Sequence, residues 1–101
     1  MLSDEQQAFI LKFLMKARKP VTARTVYLAL MGAKGKITLC IKGNGVVQQK
    51  HVDQYLDYIT RKGLVLKQED GEETIWSATR LVMQIINGLK PLPTFDVSAH
   101  G

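Results

Sequence analysis

Tyr55-Leu56-Asp57-Tyr58-Ile59-Thr60-Arg61-Lys62-Gly63-Leu64-Val65 is the stretch on which the fold turns. Up to Lys62 the apolar residues keep a helical period, with Val52, Tyr55, Leu56 and Ile59 on one face. Arg61 and Lys62 suit the negative end of a helix dipole, and Gly63 supplies a stop. Leu64-Val65-Leu66-Lys67 then reads as a strand. The spacing therefore predicts a helix over about 48–62 that runs straight into a strand.

Downstream, Thr74-Ile75-Trp76-Ser77 is a second strand-like run, and the Asp70-Gly71 pair between the two runs is a hairpin signal. A last helix over 79–87 carries Leu81, Val82, Ile85 and Ile86, and Pro91 and Pro93 stop any continuation. Residues 1–90 read as one domain and 91–101 as a flexible tail. Upstream, Ser3 with Gln6 forms a capping box for a first helix that keeps its period to about Arg18, ahead of Pro20. Thr22 caps a second helix that Gly32 ends, with Val26 and Leu30 in its buried stripe. Between the second and third helices, Ile37-Thr38-Leu39-Cys40-Ile41 alternates apolar with polar or small residues ahead of Gly43-Asn44-Gly45. A short strand or hairpin arm is expected there, the other reading being a glycine-rich loop.

Three helices followed by a two-stranded hairpin resembles the winged helix-turn-helix superfamily. In those domains two aliphatic residues three apart lock the third helix into the core, and a glycine with two aliphatics opens the wing. Leu56, Ile59, Gly63, Leu64 and Val65 match those positions. The resemblance covers residues 3–77 and implies an α+β fold: a three-helix core plus a hairpin wing, here with a β-like insertion at 33–47 and a C-terminal helix. It is specific for fold and weak for biology.

The charge is polarised along the chain. Fourteen Lys and Arg stand against nine Asp and Glu in 101 residues, a formal charge of +5. From Gln6 through Val52 there is no acid, while Lys12, Lys16, Arg18, Lys19, Arg24, Lys34, Lys36, Lys42 and Lys50 all fall there. Such a footprint suits one side facing phosphates, although a run of charge also keeps any helix solvated. The resemblance implies double-stranded DNA as the partner. On that basis Gln48, Gln49, Lys50, Asp53 and Gln54 face the major groove, where Gln can pair with adenine, Lys with guanine and Asp with a cytosine amino group. Thr22, Arg24 and Thr25 would lie on the backbone, and Lys34, Lys36 and Lys42 would add phosphate contacts. The expected function is sequence-specific DNA binding by a small transcriptional regulator.

The apolar residues Leu81, Val82, Ile85 and Ile86 of the last helix pack on the core or contact a second copy, making a homodimer. Glu69, Asp70, Glu72 and Glu73 make the wing tip acidic, so this wing is expected to stay off DNA or to face a protein. That tip also supports the alternative function, a protein-interaction adaptor within a larger assembly. Asp57 is expected beside Arg61, one helical turn on.

Catalysis has little support in the sequence, and no cofactor is expected. No GxSxG, HExxH or paired carboxylate arrangement is present, and a chain this short leaves little room for a deep cleft. His51 has only His100 as a second histidine, so no metal site is expected. Cys40, the only cysteine, lies between Leu39 and Ile41 and reads as a small packed residue. Trp76 reads as a core or subunit-contact residue. No signal peptide or membrane-spanning stretch is apparent, and a cytoplasmic location, on the nucleoid if DNA is bound, is the expectation.

Overall fold

The computed structural model describes residues 2–41 and 45–93. Their order is α1 (Asp4–Lys16), β1 (Val21–Thr22), α2 (Ala23–Gly32), β2 (Cys40–Ile41), β3 (Gly45–Val46), α3 (Gln49–Arg61), β4 (Val65–Asp70), β5 (Glu73–Ala78) and α4 (Arg80–Ile86). The protein is a small α+β domain of four helices and antiparallel strands. No helix among the described residues is long and apolar enough to cross a membrane.

Local chemistry sets most of the boundaries. Ser3 Oγ accepts from the Gln6 amide at 3.1 Å and Gln6 Oε1 accepts from the Ser3 amide at 2.9 Å, which is the predicted capping box. α1 ends at Lys16, two residues before the expected Arg18. Lys19 precedes Pro20, where helical geometry is disfavoured, and the chain turns extended to form β1. Thr22 closes β1 and caps α2, its Oγ1 accepting from the Thr25 amide. At the end of α3 the Leu64 amide donates to Ile59 O and the Gly63 amide to Thr60 O. This is a Schellman stop, with Gly63 at φ +78°.

β5 lies between β1 and β4 in a three-stranded sheet, with Val21 opposite Trp76 and Lys67 opposite the same Trp76. The β4–β5 ladder runs to Asp70↔Glu73, further than the sequence suggested, and leaves Gly71-Glu72 as a two-residue turn. Gly71 at φ +67° meets the need of such a turn for a positive φ at its first position. At the base, Thr79 Oγ1 donates to Gly63 O at 2.8 Å, so the residue expected to start the last helix also closes the hairpin.

The core joins α1 (Ile10, Leu11, Leu14), α2 (Val26, Leu30), α3 (Val52, Tyr55, Leu56, Ile59), Leu64 between α3 and β4, the sheet (Val21, Val65, Trp76) and α4 (Val82). Trp76 is thus a core residue. Val82 is 0 % exposed in the chain's own core, so it is not available as a contact to a second copy. Leu81, Ile85 and Ile86 are half-buried against that core, and Met83 is the apolar residue that α4 turns outward.

The insertion is less strand-like than its sequence. Cys40–Ile41 pairs with Gly45–Val46, and Lys34 and Ile37 form an isolated bridge. The backbone before it is held by α1 instead: Gln6 Nε2 donates to Thr38 O at 2.7 Å and to Cys40 O at 3.1 Å. The Thr38 amide donates to Glu5 Oε1 at 3.0 Å. Ile41 and Val47 turn into the core, so alternation turns Cys40 out, and it is exposed rather than packed.

Candidate nucleic-acid interface

α3 has two unlike sides. Val52, Tyr55, Leu56 and Ile59 are buried in the core, whereas Lys50, Asp53, Gln54, Asp57 and Arg61 are exposed. Gln48 is exposed just ahead of the helix and Gln49 is half-buried in its first turn. At 100° per residue, Lys50, Gln54, Asp57 and Arg61 run along the centre of the solvent side, with Asp53 at its flank one turn beyond Gln49. The first two turns therefore hold amide, ammonium and carboxylate groups together, chemically able to meet base edges.

The start of this surface is fixed by His51. The Gln48 amide donates to His51 Nδ1 at 2.9 Å, which leaves the ring proton on Nε2. Burial first, and then nearby positive charge that includes Lys50, holds the imidazole below its usual pKa. His51 is therefore part of the helix start, and among the described residues no three His, Cys, Asp or Glu come together as metal ligands.

Further along, Asp57 pairs with Lys67 of β4 at 3.8 Å, not with Arg61 as helical spacing suggested. A cation on the adjoining strand reaches the carboxylate across the α3–β4 contact. Asp53 has no cation within 4.0 Å among the described residues. Its carboxyl sits above the ordinary value, through partial burial first and then the neighbouring Asp57 charge.

The other candidates surround α3 without converging on one spot. Arg24 and Thr25 are exposed at the start of α2, which packs on α3. Thr22 is half-buried, and its Oγ1 is engaged by the Thr25 amide and hydroxyl. Lys34 and Lys36 are exposed in the turn after α2, where the Lys36 and Ile37 amides donate to Ala33 O. That turn lies at the far end of α2, about 15 Å from Arg24 by helical rise. Lys42 lies outside the described residues.

No family model, curated protein or solved structure matches the chain. Its site therefore stands on its own geometry. Two features of that geometry are additional to the residues singled out from sequence. Leu28, one turn after Arg24, is 52 % exposed, because helical spacing sets it opposite the buried Val26 and Leu30. Gln6 reads in sequence as a capping residue, and its hold on the insertion comes only with the tertiary fold. The acidic tip is as expected in its exposure: Glu69, Asp70, Glu72 and Glu73 all face solvent.

Proposed function

We propose that this chain is a winged-helix protein that binds double-stranded DNA, reads sequence with α3 in the major groove and serves as a small transcriptional regulator. One observation carries this reading: the exposed side of the first turns of α3 presents Gln48, Lys50, Asp53 and Gln54 while the opposite side is locked in the core. A rigid helix with a polar outer face is what direct readout needs.

Exposed Arg24 and Thr25 at the start of the packed α2 support the reading, as backbone contacts that fix register. Lys34 and Lys36 extend the positive field beyond them. The acidic β4–β5 tip, which phosphates repel, stays out of the grooves in this arrangement. The test is titration of the full chain against a random-sequence duplex and a selected-oligonucleotide pool at two salt concentrations. One enriched motif with a steep salt slope is the expected result. Salt-sensitive binding with no enrichment removes the sequence reading, and no binding to either pool overturns the proposal in favour of a protein-interaction adaptor.

A further inference from the structure

A carboxylate on a surface that meets phosphates is costly unless it contributes something in return. α3 carries two such groups, and the structure treats them differently. Asp57 is matched by Lys67 of β4 at 3.8 Å. Asp53 is exposed, has no cation within 4.0 Å among the described residues, and lies one turn after Gln49 and Lys50 on the reading surface. The next acid along the helix raises its proton affinity further rather than relieving it.

An acceptor-only group placed there distinguishes bases in one direction. Among the major-groove edges, cytosine offers an amino donor alone, adenine offers a donor beside an acceptor, and guanine and thymine present acceptors that a carboxylate repels. We infer that Asp53 is a specificity-determining residue that selects a cytosine at one position of the bound duplex. Its negative charge weakens binding to every other sequence, so it raises discrimination at the expense of general affinity. This inference rests on the DNA-binding reading above. It assigns Asp53 a different task from Lys50, whose charge attracts any duplex.

The experiment compares the full wild-type chain with Asp53→Asn and Asp53→Ala in oligonucleotide selection, and in titration against a random duplex. Both variants alter an exposed side chain, and far-UV circular dichroism with a thermal melt checks that they fold like the wild type. The expected result is a wild-type motif with one cytosine that Asp53→Ala leaves degenerate and Asp53→Asn shifts toward adenine, the other positions being unchanged. Discrimination at that position falls roughly 5- to 150-fold. Random-duplex affinity rises in both variants, with a steeper salt dependence. A motif unchanged at every position in both variants overturns the inference and leaves DNA binding intact. A uniform loss across all positions also overturns it, since that marks a supporting role in the fold. A wild-type chain that binds no duplex removes this inference together with the reading on which it rests.

Discussion

The amide of Gln48 donates to Nδ1 of His51, so the first turn of α3 is capped by an imidazole that must be neutral to accept that hydrogen bond. The pKa of His51 is lowered in the folded chain, so the native state binds the proton less tightly than the unfolded state does. Stability from this contact is fully present above the unfolded value of about 6.5 and is lost as pH falls toward the lower folded value. Thermal melts of the wild type and His51→Asn between about pH 7.5 and about pH 5 should show a wild-type advantage that shrinks with acid. An advantage constant across the series would mean that the imidazole does not act as the acceptor.

Gln6 is fully buried and holds the insertion by two carbonyls, Thr38 O and Cys40 O. Gln6→Leu keeps much of the volume and removes the donors, so it should cost about 2–4 kcal/mol in urea unfolding. Hydrogen exchange at the Thr38 amide, which donates to Glu5, should accelerate in the same variant. Unchanged exchange there would show that Glu5 and the apolar residues of the insertion hold it without Gln6.

Two glycines should respond in opposite directions to alanine. Gly63 has φ +78°, and a Cβ there meets nothing within 4 Å, so Gly63→Ala pays only backbone strain of about 1–2 kcal/mol. Gly32 ends α2 without a positive φ and with equally open space, so Gly32→Ala should be neutral or stabilise by about 0.5–1 kcal/mol. Chemical denaturation of both variants reads the difference, and equal effects would contradict the left-handed role of Gly63.

The Asp57–Lys67 pair is long at 3.8 Å and open to solvent on both sides. A double-mutant cycle with Asp57→Asn and Lys67→Gln should give a coupling of about 0.5 kcal/mol or less, falling with added salt. A coupling of several times that size would mean that the pair fastens α3 to β4.

Lys50 carries the one positive charge on the first two turns of the exposed side of α3. In salt titrations with duplex DNA, Lys50→Ala should reduce the log–log slope by about 0.9 while leaving any selected motif largely intact. An altered motif with an unchanged slope would place Lys50 on a base edge instead of a phosphate.

What the sequence made legible was set by short-range chemistry. The Ser3–Gln6 capping box, the stop at Gly63 and the hairpin turn each depend on residues within a few positions; the first two are found where their residues suggested, and the turn falls one residue beyond Asp70-Gly71, at Gly71-Glu72. The polar side of α3 was legible for the same reason, since Val52, Tyr55, Leu56 and Ile59 define the opposite side by spacing alone. The partner of Asp57 was not, because Lys67 comes from another element and outcompetes the nearer Arg61 only in the folded geometry. Cys40 reads from its apolar neighbours as a small packed residue, but the burial of Ile41 beside it turns it outward. The pairing of β1 with β5 involves two residues on one side, too few to leave any periodic trace.

That two-residue strand bears on the order in which the molecule assembles. Val21 finds its sheet partner in Trp76, more than half the chain away, and α2, the insertion and α3 all lie inside the loop this pairing closes. The hairpin and the helices can draw on neighbouring residues, but β1 has no sheet to join until β5 exists. During synthesis β1 therefore has no strand to pair with until the segment bearing Trp76 has been made. The β1–β5 pairing is thus a non-local contact closed over a long loop, the kind of contact whose entropy cost slows folding.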